Sequence, residues 1–293
     1  MTKKVNHNES VKENRALEIW KQFCRNKGAV IGLTVTIILI LVSLFSNVIW
    51  DYDTDVIGIN IPDRLMEPCL EHPFGTDQYG RDMLARVGYG TRYSLIIGIS
   101  STAIALILGL PIGAAAGYLG GKFDDLFMRV VDAITIIPSI LLTVILVSIL
   151  GTSLVNLILA LSISSIPILA RIARASVLTV RNNEYVESAR AIGGNGFYIV
   201  MTQILPNCFS PILVRVTLQV ASGIVAASSL SFLGIGVPVP SPEWGALLSA
   251  GRGLIRQATW LTIFPGLAIM ITVLSLNLLG DGLRDALDPK LKK

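Results

Sequence analysis

The stretch Glu187-Ser188-Ala189-Arg190-Ala191-Ile192-Gly193-Gly194-Asn195-Gly196, continuing to Gln203-Ile204-Leu205-Pro206-Asn207, decides how often this chain crosses a bilayer. Ala191 to Val214 carries no charge for 24 residues, which is long enough to span. Its content argues against that. Gly193, Gly194 and Gly196 together with Pro206 and Pro211 make a poor continuous helix, and lipid offers no partner for backbone groups freed from a ladder. The segment therefore reads as a polar surface element. Glu184, Glu187 and Arg190 fall at i, i+3 and i+6, with small Ser188, Ala189 and Ala191 between them. That pattern predicts a short compact helix, with Gly193-Gly194 as its stop. Exposed on one side of a membrane, such a helix can lie in a groove of another protein. A solvated linker between two spans is the plainer alternative.

On either side the chain is strongly apolar. Of its 293 residues 52% are hydrophobic and 15% charged, and the mean hydropathy is +0.66. A soluble domain carries about 25% charge, so the class is an all-α polytopic membrane protein. Gly28 to Trp50 is 23 residues without a charge, too long for a signal-peptide core and right for a first span over 28–50. The second span is expected over 93–121. There Gly109, Gly113 and Gly117 recur every fourth residue and bare one face for close helix packing, and Pro111 predicts a kink. Lys122 to Asp132 reads as a short turn. Ala133 to Ala170 is 38 residues without a charge, about 57 Å as a helix and nearly twice a ~30 Å hydrocarbon core. It must hold two spans, near 130–150 and 154–173, turning at Gly151-Thr152-Ser153. A fifth span is expected over 209–235 and a sixth over 260–280, with Gly236 to Trp260 as a loop. Glu13 to Lys27 reads either as a surface helix, Trp20 and Phe23 down and Lys21 and Arg25 up, or as a solvated basic tail.

Charge sorts the two sides. Placing 1–27, the turn at 122–132, the segment 174–205 with Arg171 just before it, and the tail 282–293 together collects 17 of the Lys and Arg residues; the loops 51–92 and 236–260 hold 6. By the positive-inside rule both termini are cytoplasmic, 51–92 is extracytoplasmic, and 93–281 is a transmembrane core interrupted by the cytoplasmic loop 174–205. Arg215 is the one charge inside the expected fifth span. It is a pathway or gating candidate, though its place about one turn from the cytoplasmic end favours simple snorkelling.

Little else carries chemistry. Gly120-Gly121-Lys122-Phe123 lacks the upstream glycine and the Ser/Thr of a phosphate-binding loop, so the chain itself is not expected to bind ATP. Two histidines (His7, His72) and three scattered cysteines (Cys24, Cys69, Cys208) make neither a metal cluster nor a disulfide framework. The positive charge is distributed as a topology signal and points to a lipid bilayer, with no nucleic acid expected as a partner. Carboxylates are nearly lacking from the spans, which argues against a proton-coupled carrier and for energy borrowed from a partner.

Glu187, Ala189, Gly193, Leu205 and Pro206 are in register with the EAA loop of bacterial ABC-importer permeases, with Ser188 in place of the first alanine and Gln203 in place of an isoleucine. His72-Pro73-Phe74-Gly75-Thr76-Asp77-Gln78-Tyr79-Gly80-Arg81-Asp82, Tyr89-Gly90-Thr91-Arg92-Tyr93-Ser94-Leu95, Leu230-Ser231-Phe232-Leu233-Gly234-Ile235-Gly236 and Asn277-Leu278-Leu279-Gly280-Asp281-Gly282 resemble the dipeptide/oligopeptide/nickel branch, C-subunit type. Ala226 and Ala227 stand where many relatives have a Thr-Glu pair. The resemblance implies a type I ABC-importer permease fold of six helices in the bacterial inner (plasma) membrane. It implies a heterodimer with a second, similar permease, two cytoplasmic ATPase subunits, and an extracytoplasmic solute-binding protein. ATP and Mg would sit on the ATPases, leaving no cofactor and no catalytic residue in this chain. The cargo implied is di- and oligopeptides, with nickel, metal chelates or glutathione-like solutes as the alternative. Glu184, Glu187, Ser188, Ala189, Arg190, Gly193, Leu205 and Pro206 would form the ATPase-coupling helix and its anchor.

Overall fold

The computed structural model describes residues 17–287. They form helices, with one isolated antiparallel bridge between Thr76 and Asp82 and no strand among the described residues. Helix α1 covers 17–25 and α2 covers Lys27–Ile49. Asn26 divides them and caps α2, its side-chain oxygen accepting from the Ala29 amide at 3.2 Å. Trp20 stays exposed while Phe23 is buried with Ala29 and Ala286. The two rings stack with centroids 5.8 Å apart, and Phe23 packs against the far end of the chain. Residues 13–16 of the expected surface helix lie outside the described residues.

Helix α3 spans Met83–Leu119 and starts ten residues before the expected boundary at 93. Asp82 caps it, accepting from the Ala85 amide at 2.9 Å. The charge in its first turn, Arg86, is answered internally by Asp77 at 2.9 Å. Asp77 also accepts from the Tyr79 and Arg81 amides and the Arg81 Nε. A charged first turn is tolerated because Asp77 answers the Arg86 guanidinium through Nη1, although the Arg86 Nε is buried without a hydrogen-bond partner.

The largest departure follows α3. The expected turn over 122–132 is helical: α4 runs Gly121–Ile136, and the reversal is confined to Gly120 and Gly121 at φ +66° and +55°. The expected third span over 130–150 is broken, since α5 covers only Ser139–Leu150 and meets α4 at 84°. The cause is Pro138. It has no N–H to give the ladder, and its ring drives Ile137 out of the helical region, to φ −83° and ψ 123°. Helix α6, Leu154–Val180, starts after the expected turn at Gly151, with Ser153 as its cap, and continues past 173. After the surface unit described below, α9 covers Phe209–Phe232. The loop expected over 236–260 contains α10, Trp244–Gly251. Finally α11 covers Trp260–Leu287, so the segment from 282 is helical up to 287. Among the described residues five helices, α2, α3, α6, α9 and α11, are long and apolar enough to cross a bilayer; counting the bent pair α4–α5 as one span makes six.

Close approach of α3 and α6 organises the bundle. A Cβ placed on Gly113 would lie 2.1 Å from the Ala170 carbonyl oxygen. On Gly109 it would meet the Ile166 carbonyl at 3.0 Å, and on Gly117 the Val177 Cβ at 2.9 Å. The expected glycine face is thus a groove for the backbone of α6. Helix α11 packs on α2 and α9, and α9 on α3. At one end of the bundle the long loops are locked together. Phe74 stacks on Phe264 at 3.9 Å, the Trp260 indole donates to the Thr76 carbonyl at 3.0 Å, and the Trp244 indole donates to the Val87 carbonyl at 2.9 Å. Glu243, fully buried there, caps α10 by accepting from the Gly245 and Ala246 amides and from the Ser228 hydroxyl.

Candidate functional site

At the opposite end, the segment after α6 folds into one compact unit. Helix α7 covers Glu184–Ala191 and α8 covers Gly196–Ile199; a wide i→i+5 turn follows over Val200–Ile204, then a tight turn over Leu205–Asn207. The end of α7 is built by hydrogen bonding. The Gly194 amide donates to the Ala189 carbonyl and the Gly193 amide to the Arg190 carbonyl, both at 3.0 Å. This is a Schellman closure, and it needs a left-handed residue at Gly193, whose φ is +84°. Space beside Gly193 is open, with nothing within 4 Å of an added Cβ. Its role within this chain is therefore conformational: it stops the helix and turns the chain.

The unit has an inner and an outer side. Val186, Ile199, Ile204 and Cys208 are buried with Val177 of α6, Ala114 of α3 and Ile212 of α9, and Ala189 and Leu205 pack at the edge of that cluster. Ile199 and Ile204 sit five residues apart and both are 0% exposed. The wide turn brings them onto one face, since it uses more residues per turn than an α-helix. It also leaves Gln203 only half-buried, with Ile204 as the anchor. Burial pushes the Cys208 thiol up to about 11, and its Sγ donates to the Ser176 carbonyl at 3.1 Å. The unit is clamped to the bundle by Arg181, which donates to the Gly117 carbonyl at 2.8 Å, and by Arg190, whose guanidinium lies 5.0 Å over the Tyr118 ring. Beside it, α4 is held to α6 by a bidentate fork from Arg174 to Asp124, both contacts 2.6 Å, and by Arg171 to Asp132 at 2.8 Å.

Glu184, Glu187, Ser188, Arg190, Gly193 and Pro206 are not part of that buried face; all are exposed, Arg190 with its guanidinium over the Tyr118 ring. The sequence reading did not single out their apolar neighbours. Ile192 is 87% exposed, Phe197 73% and Tyr198 58%, and Met201 is also exposed. Here the signal was present, as two aromatic residues in a glycine-rich polar segment have no core reason to be there. The unit thus carries exposed acidic and hydroxyl residues on α7 and exposed apolar residues from Ile192 to Met201, over a buried base.

Arg215 lies elsewhere, on α9. Its Nη2 donates to the Gln219 side-chain oxygen at 3.3 Å, and the Gln219 amide donates to the Ser165 hydroxyl at 3.1 Å. Its Nε is buried with no hydrogen-bond partner. Arg215 lines two neighbouring cavities. One, of about 400 Å³, includes Ser210, Leu218 and Arg284; the other, of about 160 Å³, lies between α5, α6 and α9.

The chain is similar to known proteins over nearly its whole length. Residues 109–293 match the family described as binding-protein-dependent transport system inner membrane component, and residues 16–68 match the N-terminal TM domain of oligopeptide transport permease C. The di/tripeptide transport system permease protein DppC of Pseudomonas aeruginosa is 41% identical over 279 residues, 94% of this chain and 92% of that protein. The dipeptide transport system permease protein DppC of Haemophilus influenzae is 40% identical over 282 residues, covering 94% and 95%. The glutathione transport system permease protein GsiD of Pectobacterium atrosepticum is 41% identical over 276 residues, covering 94% and 91%. Among solved structures, a chain of the MetNI methionine ABC transporter in inward-facing conformations superposes with a TM-score of 0.60 at 20% identity. The match covers 70% of this chain and 98% of that one, a likeness of fold.

Proposed function

The chain belongs to the family of inner membrane components of binding-protein-dependent transport systems, as a multi-pass permease subunit of a bacterial ABC importer, and on that premise we propose that it carries short peptides and is driven through α7. The peptide cargo is supported by the relatives that match over nearly the whole chain, whose names specify dipeptide and di/tripeptide transport. The α7 end of the bundle, with its basic excess, faces the cytoplasm. The loops around Trp50–Asp82 and Leu233–Thr259 face outward, toward a solute-binding protein.

The observation that carries the coupling role is the surface of the α7–α8 unit. Ile192, Phe197 and Tyr198 are exposed apolar residues on the same short unit as the exposed Glu184, Glu187 and Ser188. Aromatic and aliphatic anchors within a polar rim make a docking surface. The buried base gives that surface mechanical meaning. Arg181 and Arg190 tie the unit to α3, and its buried face packs against α3, α6 and α9. A partner ATPase that moves on binding and hydrolysing ATP pulls three spans together and re-orients them. A second permease covers the hydroxyl-lined groove between α5, α6 and α9, which would be a poor surface for lipid. ATP and Mg stay with the ATPases.

The test is a cysteine at Ser188. In membranes holding the assembled complex, Ser188→Cys is expected to cross-link to the ATPase subunit through a short bifunctional reagent. A cysteine at Asn60, at the opposite end, is expected to give no such product. The reverse pattern would overturn both the sidedness and the docking role.

A further inference from the structure

We propose that the cavity between α5, α6 and α9, lined by Ser139, Thr143, Ser164, Ser165, Arg215 and Gln219, is a carboxylate-binding station for the C-terminus of the passing peptide. The proposal rests on the peptide-import reading above and adds a site and a ligand chemistry to it.

Three observations converge. The first is charge. Arg215 has no ion pair among the described residues; its one hydrogen bond is a 3.3 Å contact to Gln219, and its buried Nε has no partner. An arginine about 9 Å into a span, six residues after Phe209, is costly unless an anion or water meets it. No Asp or Glu lines the cavity, so the wall supplies a cation and nothing to neutralise it.

The second is the character of the wall. Gln219 is 6% exposed and donates to Ser165 at 3.1 Å; the Thr143 hydroxyl donates to the Ser139 carbonyl at 2.8 Å and lies 3.1 Å from the Ser164 hydroxyl. The Ser164 and Ser165 hydroxyls both rest on the Leu161 carbonyl of their own helix. Hydroxyls held this way rotate to donate to an incoming anion at little cost. Such a concentration of donors is unusual in an apolar bundle.

The third is the broken span. Helix α5 starts at Ser139, just after the 84° break, and Ser139 and Ile140 line the same cavity. No side chain caps that end of α5. Its free amides and positive dipole end lie at the cavity wall, and broken membrane helices present such ends to anionic groups. An ammonium group would be repelled by both Arg215 and this helix end, so the arrangement selects the carboxylate end of a peptide.

Arg215 also lines the 400 Å³ cavity toward Ser210 and Arg284. It therefore stands between the polar cavity and the α7 end, where an anion leaving the station would pass.

The experiment uses the complete importer in proteoliposomes, with both permeases, the ATPases and the binding protein. ATP-driven uptake of Ala-Phe is compared with that of its C-terminal amide. The binding protein's own preference is common to all variants and cancels when their acid-to-amide ratios are compared. In Arg215→Gln the ratio is expected to fall about tenfold, the loss of one charge-assisted pair. Arg215→Lys is expected to keep most of the preference. Gln219→Leu keeps the charge but removes the group that aims it, and is expected to lower the ratio several-fold; it decides the matter should Arg215→Gln fail to assemble. An unchanged ratio, or equal loss of acid and amide, would overturn the proposal and leave Arg215 a structural or lipid-contacting residue. A wild-type importer that takes up neither probe would instead overturn the peptide reading, and this inference with it.

Discussion

At the residue scale the account rests on what small and odd residues do. Gly113 is the clearest case, because a Cβ there would sit 2.1 Å from a backbone oxygen of α6. Gly113→Val is expected to force α3 and α6 apart at a cost of at least about 1–3 kcal/mol, read as a lower melting temperature in detergent. Gly193 works differently. Nothing crowds it, but φ is +84°, so a β-branched residue there unravels the end of α7 rather than filling an interface. Cys208 gives a chemical test. With its thiol raised to about 11 and buried, it is almost wholly protonated at neutral pH and a poor nucleophile. Maleimide at pH 7.5 is expected to label exposed Cys24 and Cys69 long before Cys208; equal rates would contradict the packed α7–α8 base. The folded state holds this proton more tightly than the unfolded one, so the contribution to stability is present below about pH 9 and is lost as pH climbs toward 11.

At the element scale the sequence was legible where one force dominated. The glycine face of α3, the turn at Gly151, and the rejection of one continuous span over 191–214 all follow from sterics or backbone satisfaction, and the structure has each of them. Helix ends were less legible, because charge was used to place them. Arg86 belongs to α3 since Asp77 meets it, and Asp124 and Asp132 belong to α4 since Arg174 and Arg171 meet them. Pairing across elements cannot be read from a hydropathy profile. The break at Pro138 was legible in principle, but the length of the apolar run outweighed a single proline. The forks to α4 have their own test. Asp124→Asn is expected to lower the melting temperature by a few degrees, the loss of a partly exposed pair worth about 1 kcal/mol. Adding Arg174→Gln is expected to change it little further; full additivity would show that the two do not act together.

At the scale of the whole molecule, two ends are made for different work. One is fastened by indole hydrogen bonds, an aromatic stack and a buried glutamate cap. The other holds a small helical unit on a three-helix base, with exposed apolar residues. Between them runs a hydroxyl-lined groove that ends at Arg215. The coupling segment was visible in the sequence through its spacing and its glycines. The apolar residues Ile192, Phe197 and Tyr198 were only half visible: two aromatics in a glycine-rich polar segment are a signal, but their exposure is a tertiary fact. The central claim is that ATP-driven force enters through those residues. It is tested most directly by reconstituting the full importer with Ile192→Asp and Phe197→Asp together and measuring uptake alongside ATP hydrolysis stimulated by the loaded binding protein. The account predicts a correctly inserted permease that no longer retains the ATPase subunits and has lost stimulated hydrolysis and uptake together. Wild-type uptake and stimulation in that double variant would contradict it.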